Sequence, residues 1–135
     1  MLVADVDGHG TITALVTDQK TVALWLVRDC RLVPAQNAQG NPYRFDLGVI
    51  GTGTGVGCSQ VAGTQGRSLV GLKLVRDGAG NPVSVERTQV IIDGTQARNG
   101  AHDTVPAPEG SPAAASAGQI TCGNLTMRDD GVRAQ

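Results

Sequence analysis

Residues 5–15 of the chain read DVDGHGTITAL, and this stretch decides the fold class. It places an Asp/Gly loop directly before a β-rich run. Residues 60–70, QVAGTQGRSLV, align with it without a gap at an offset of 55 residues. A strand and a hairpin are predicted after each copy. A repeat of about 40 to 50 residues or slightly more, with a few short strands in each copy, is typical of β-propeller blades.

The composition also favours an all-β chain built from short strands. Among 135 residues there are 19 glycines and 6 prolines, and the apolar residues stand in short runs. This pattern predicts many turns, and the length fits one domain. The aromatic residues are Trp25, Tyr43 and Phe45 alone, so we expect a thin core of Val, Leu, Ile and Ala.

Two β-rich runs predict a first hairpin. Residues 11–17 (TITALVT) and 21–28 (TVALWLVR) flank the polar turn 18–20. In the second run, both faces of the strand are apolar. We therefore expect this strand to be central and covered on both sides, with Trp25 as a core anchor rather than a ligand platform.

The same reasoning places further strands along the chain. They are predicted at residues 31–33, at 43–47 with one wet face, and at 68–75 and 83–93, which form a second hairpin. The glycine-rich stretch Gly51 to Gly57 is interpreted as a flexible strand connection. A phosphate-binding loop is disfavoured there because no Lys-Ser or Lys-Thr follows.

The composition changes after residue 102, and the repeats are therefore assigned to residues 1–102. Residues 103–118 (DTVPAPEGSPAAASAG) are rich in Pro, Ala, Ser and Gly and are predicted to be a linker or mobile loop. Residues 119–127 form one last apolar run, which we expect to return as a strand and complete the first sheet. Residues 128–135 are a charged tail.

The charge pattern argues against two classes of partner. Eleven Lys and Arg stand against twelve Asp and Glu, with a formal net charge of −1 and no basic run. Nucleic acid is therefore not expected as a partner. No stretch approaches the ~20 apolar residues of a membrane-spanning helix, and residues 1–7 do not resemble a signal peptide.

Three cysteines, Cys30, Cys58 and Cys122, have no C-x-x-C spacing, and the histidines lie far from them in sequence, so a zinc site is disfavoured. They allow three different single disulfides. We expect the pair Cys30 with Cys58, with the third thiol left over, as would suit a secreted protein. Buried reduced thiols in a cytosolic protein are the alternative.

The repeat resembles a known family, the FG-GAP or VCBS repeats of the integrin α-subunit type of β-propeller. The resemblance covers roughly residues 2 to 102 and rests on a D-x-D-G-D-G-x-x-D/E loop, matched by Asp5, Asp7, Gly8 and Gly10. It implies about two propeller-like blades of antiparallel sheet, with a small β-sandwich as the alternative. Two blades cannot close a ring of about four to eight, so they would belong to a larger propeller or an assembly.

The family also implies a calcium loop, whose ligand positions correspond here to Asp5, Asp7, His9 and Thr13. Only two carboxylates remain, and histidine is a poor ligand for a hard cation. The second copy places no carboxylate at the matching positions. The first loop is therefore either a weak calcium site or a turn in which Asp5 and Asp7 accept backbone N–H groups and His9 is solvated.

A catalytic site is not expected. The sequence has no G-x-S-x-G motif and only two histidines, His9 and His102. An unfamiliar site built from Asp46, His102 and Asp103 is left open as the basis of a small secreted enzyme.

The leading functional hypothesis is a non-catalytic extracellular module, secreted or at the cell surface, that binds a protein or glycan partner or acts as a scaffold. A glycan-binding face needs exposed aromatic side chains, for which Tyr43 is the candidate. The alternative is a self-associating subunit of a filament or coat that donates residues 119–127 to a neighbour by strand exchange.

Overall fold

The computed structural model describes residues 1–18, 20–47 and 53–132. It confirms the all-β prediction, with antiparallel sheets as the dominant structure. Three sequence predictions fall partly outside the described residues: the turn at Gln19, the start of the glycine-rich stretch at 51–52, and the end of the tail at 133–135.

The first sheet is an antiparallel meander in chain order. Its strands are β1 (Leu2–Asp5), β2 (Ile12–Thr17), β3 (Thr21–Arg28) and β4 (Arg31–Pro34), and β5 (Arg44–Asp46) also pairs with β3. The prediction for β3 is confirmed at both ends, and the strand is central, as its two apolar faces indicated.

The second sheet repeats this order with four strands. They are β6 (Thr54–Ser59), β7 (Ser68–Arg76), β8 (Pro82–Asp93) and β9 (Gln96–Pro106). The predicted hairpin of β7 and β8 is confirmed. The interpretation of the glycine-rich stretch as a flexible connection is wrong for residues 54–57, which form most of β6, and β9 was not predicted.

The inner faces of the two sheets enclose the main core. Its buried side chains come from both sheets and include Leu15, Leu24, Leu26, Phe45, Val56, Leu69 and Val90. The Phe45 ring of the first sheet lies over Gly71 of the second, at a distance where an added Cβ would be in ordinary van der Waals contact. The core is aliphatic apart from Phe45 and the partly buried Tyr43, in agreement with the composition.

Residues 107–119 pack on the other face of the second sheet, and residues 120–122 continue at its edge into the main core. We call residues 107–122 the covering segment. Ala107 and Ala117 have no exposed surface, and the helix α1 (Pro112–Ser116) begins after Ser111, whose Oγ accepts a hydrogen bond from the Ala114 N–H at 3.2 Å. The predicted linker or mobile loop over 103–118 is therefore wrong. Its first residues complete β9, and small alanine side chains let the remainder approach the sheet closely.

Residues 119–127 pair with the second sheet, so the prediction that they complete the first sheet is wrong. Ile120 forms a parallel bridge with Val56 at the edge of β6. The chain then forms a small hairpin, β10 (Thr121–Cys122) and β11 (Leu125–Thr126), and a short helix, α2 (Met127–Asp130). Two backbone hydrogen bonds of 2.7 Å join Met1 and Val132.

The disulfide joins Cys58 to Cys122, so the expected pair Cys30 with Cys58 is wrong. The parallel bridge between Val56 and Ile120 brings residue 122 beside residue 58, with the two Cα atoms 4.6 Å apart. Cys30 lies at the exposed tip of the hairpin between β3 and β4 and carries a free thiol. The disulfide thus fastens the covering segment to the second sheet.

Candidate protein-interaction face

The outer face of the first sheet is the side turned away from the core. Strand register aligns Val3, Ala14, Trp25 and Pro34 in one row across the four strands. Side chains alternate between the faces of a strand, so the neighbouring rows on this side follow from the same register. Nine of the side chains on the outer face are apolar: Val3, Ile12, Ala14, Val16, Ala23, Trp25, Val27, Leu32 and Pro34. The same register places Asp5, Thr21, Arg44 and Asp46 on this side, at the margin of the apolar patch.

Every one of these nine side chains is apolar, and several are open to solvent. Leu32 is 50% exposed, Val3 is 45% exposed and Val16 is 37% exposed. Trp25 is partly buried and lies on this face, outside the main core cluster, so its predicted role as a core anchor is wrong. A contiguous apolar face of this kind marks an interaction surface more often than an ordinary solvated one.

The outer face of the second sheet, in contrast, lies under the covering segment. Val85 is buried there against the covering segment, with Leu72, Leu74 and Val105 packed around it. At Gly55 the covering backbone lies so close that a Cβ would be 2.5 Å from the Ala117 carbonyl oxygen and would also collide with that of Gln119. Only glycine fits at this strand position.

The repeat relates the faces of the two sheets. Leu15 of the first copy aligns with Val70 of the second. Leu15 points into the core between the sheets, whereas the side chain of Val70 lies beside that of Leu72 on the outer side of the second sheet. The two copies therefore stack in the same sense, and the outer face of the first sheet is equivalent to the inner face of the second.

The first repeat loop is closed by its own acidic side chains. Asp5 accepts hydrogen bonds from the N–H groups of Gly8 and Gly10, both at 2.9 Å, and Asp7 accepts one from His9 at 2.7 Å. The Thr11 hydroxyl donates to the second oxygen of Asp7. Gly8 has a φ of +74° and its repeat equivalent Gly63 one of +80°, a conformation that glycine adopts most easily.

These hydrogen bonds lower the pKa of the Asp7 carboxyl group. Burial alone would raise its pKa, but the bonds from Thr11 and from the His9 and Thr11 N–H groups lower it to about 2. A carboxylate that accepts several hydrogen bonds is stabilised in its charged form.

The residues predicted as calcium ligands make other contacts. Both carboxylates are engaged by backbone N–H groups, His9 is exposed, and the buried Thr13 hydroxyl has no hydrogen-bond partner. The guanidinium of Arg67 donates to the carbonyl oxygens of Asp5 and Val6. These contacts match the turn interpretation, and calcium binding by this loop stays a prediction.

Residues of the second repeat loop make contacts of the same kind. Gln60 donates a hydrogen bond to the Thr64 carbonyl oxygen, and the Ser68 hydroxyl, at the position equivalent to Thr13, is buried without a partner. Within residues 1–18, 20–47 and 53–132, no three His, Cys, Asp or Glu side chains group closely enough to hold a metal ion.

Asp103, which the sequence offered as part of an enzyme site, forms an ion pair within the second sheet. Its carboxylate pairs with the Arg87 guanidinium, with a contact of 2.8 Å from Nε, and Arg87 also donates to Ser59 and to the Gln60 carbonyl. The hydrogen bonds from Arg87 hold the pKa of Asp103 below its ordinary value. His102 follows on the opposite face of β9, so the structure does not direct these two side chains to one site.

Comparisons with protein-family models, with curated proteins and with solved structures gave no match. In the described part of the chain, no helix has the length and apolar character needed to cross a membrane. The sequence contained one indication of the outer face, the two-sided apolar pattern of β3, which predicted a cover on both sides. One of those covers is not supplied by the described part of this chain.

Proposed function

We propose that this chain is a non-catalytic β-repeat module that binds a protein partner through the outer face of its first sheet. The observation that carries the proposal is the contiguous apolar patch at the centre of this face, where Val3, Val16 and Leu32 are between 37% and 50% exposed. The burial of such a surface drives most protein association. Its equivalent in the second sheet is already buried inside the molecule.

Two blade-like units of a β-propeller repeat account for this arrangement. Each unit contains a four-stranded antiparallel meander, to which β5 is added in the first, and the equivalence of Leu15 and Val70 supports stacking in one sense. In such a stack every unit contacts its neighbours through both faces. The module would act outside the cell, secreted or at the cell surface, a location with which the Cys58–Cys122 disulfide is compatible.

A protein partner is favoured over a glycan. Tyr43, the candidate aromatic platform, is partly buried, stacks edge-on against Phe45 at 5.3 Å between ring centroids, and donates a hydrogen bond to Asn99. The apolar patch at the centre of the outer face is aliphatic except for the partly buried Trp25. Aliphatic side chains bury well against another apolar surface and offer a sugar no hydrogen bonds.

Site-specific photo-crosslinking tests the proposal. A diazirine amino acid replaces Leu32 in the cells that make the protein, and Val83 is replaced in the control. Val83 is 48% exposed and lies on the second sheet, so the two positions match in exposure and differ in face.

The proposal predicts a protein adduct of discrete mass at position 32 that is lost when Val16 on the same face is changed to Glu. Position 83 should give no such adduct. Equal crosslinking at both positions, or an adduct at position 32 that persists in the Val16→Glu variant, would overturn the proposal.

A further inference from the structure

We infer that the occupant of the outer face is a second copy of this chain, packed outer face to outer face about a two-fold axis. The inference rests on the proposed function and adds the identity of the partner. Three properties of the molecule support it: the charge of the face, the cover on the opposite end of the stack, and the area available.

The absence of charge at the centre of the face suits contact between two copies of it. In a two-fold interface the same patch is used by both copies, so residues near the axis meet their own counterparts. A charged side chain there would face an identical charge, and like charges opposite one another are destabilising. The nine apolar positions fill the centre of the outer face, and its charged side chains, Asp5 on β1 and Arg44 and Asp46 on β5, stand at its margins.

The covering segment blocks the alternative arrangement, in which copies stack head to tail. Copies stacked in the same sense as the two repeats would place the outer face of one chain on the outer face of the second sheet of the next. That surface is occupied by residues 107–119 of its own chain, which Cys58–Cys122 fastens in place. Because head-to-tail growth is blocked, pairing through the first sheet stops at two copies.

The available area predicts a weak dimer. Four strands about 4.8 Å apart and about six residues long give a flat footprint of about 400 Å² per copy, or about 800 Å² for the pair. Stable complexes bury about 1,200 to 2,000 Å², and transient ones less. We therefore expect a concentration-dependent equilibrium with a dissociation constant in the micromolar range or above.

Sedimentation-velocity and light-scattering measurements on the purified chain test the inference, over concentrations from about 1 to about 500 µM. The Cys30→Ser background removes the exposed free thiol, so that an intermolecular disulfide cannot produce a dimer. Leu32→Glu places a charge on the outer face. Val83→Glu is the matched control, because residues 32 and 83 are 50% and 48% exposed. Circular dichroism establishes that all variants are folded.

The expected result is a dimer that forms with increasing concentration, does not grow beyond two copies, and is weakened at least about tenfold by Leu32→Glu but not by Val83→Glu. A chain that remains monomeric at all concentrations, larger oligomers, or equal weakening by both variants would overturn the inference.

The two proposals can fail separately. If the purified chain is monomeric while position 32 still crosslinks to a different protein, self-association is wrong and the docking function stands. If neither a dimer nor an adduct that depends on the outer face is found, both are wrong.

Discussion

The outer faces of the two sheets have similar apolar character and very different surroundings. On the second sheet, Val85 and the side chains around it lie under the covering segment. On the first sheet, Val3, Val16 and Leu32 remain exposed. An apolar sheet face therefore does not by itself indicate a core, because its role depends on which segment of chain, or which partner, covers it.

The cover on the second sheet depends on three local features that the first sheet lacks. Gly55 permits close approach of the backbone at Ala117, alanines supply a small packing surface, and the Cys58–Cys122 disulfide holds the segment against β6. The outer face of the first sheet instead carries Trp25 and branched aliphatic side chains.

A buried charge should distinguish the two faces most strongly. Val85→Glu should lower the free energy of unfolding by about 3 to 5 kcal/mol, the typical cost of an uncompensated buried charge, because Arg87 is already paired with Asp103. Leu32→Glu should change it by no more than about 0.5 kcal/mol, as expected for an exposed position. Urea denaturation below 5 µM protein measures both, since dilution limits any contribution from dimers. If Leu32→Glu is as destabilising as Val85→Glu, the first sheet has a cover within its own chain and the comparison fails.

Removal of the disulfide should uncover the second face. The double change of Cys58 and Cys122 to Ser should cost about 2 to 4 kcal/mol, because the bond closes a sequence separation of 64 residues. Binding of a hydrophobic dye should increase as the covering segment loosens. Cys30→Ser is the matched control and should change neither quantity. An unchanged dye signal in the double variant would show that packing alone holds the segment.

Acid should weaken the second sheet through Asp103. The hydrogen bonds from Arg87 lower the Asp103 pKa below its ordinary value of 3.8, so the stabilisation is present above that pH and is lost as the pH falls through the lowered value. Asp103→Asn should cost about 1 to 2 kcal/mol at pH 7, and its difference from the wild type should shrink below about pH 4. Urea midpoints measured from pH 2 to pH 7 test this. A constant difference over the whole range would contradict the assignment.

Asp7 titrates in the same acid range but belongs to the first repeat loop. Its pKa of about 2 means that its contribution is also lost as the pH falls from its ordinary value of 3.8. The Asp7→Asn variant therefore separates the two sources of acid sensitivity, and it should leave the dye binding of the second face unchanged.

The sequence predicted those strands whose apolar pattern is strong. β3 has apolar residues on both faces, and β7 and β8 are rich in branched residues around a Gly/Asn turn, so local propensity and tertiary packing agree. β9 was missed because its sequence, QARNGAHDTVP, is mostly polar, as suits a strand at a sheet edge. β6 was missed because its glycines are required by contacts with distant residues, which no local pattern reveals.

The site was less predictable than the fold. Asp5 and Asp7 indicated a loop with ordered carboxylates, yet whether their oxygens face an ion or the backbone depends on three-dimensional geometry. The pairing of three cysteines cannot be deduced from spacing alone. The apolar pattern of β3 predicted that both faces would be covered, but it could not show that one cover lies outside the described part of the chain.

Carbene footprinting of the wild-type chain, read by mass spectrometry, tests the difference between the outer faces most directly. At low protein concentration, peptides that contain Val3, Val16 and Leu32 should be labelled strongly, and those that contain Leu72, Leu74 and Val85 should be protected. At high concentration the first set should become protected while the second stays unchanged. Equal labelling of both faces, or protection of the first set already at the lowest concentration, would contradict the account.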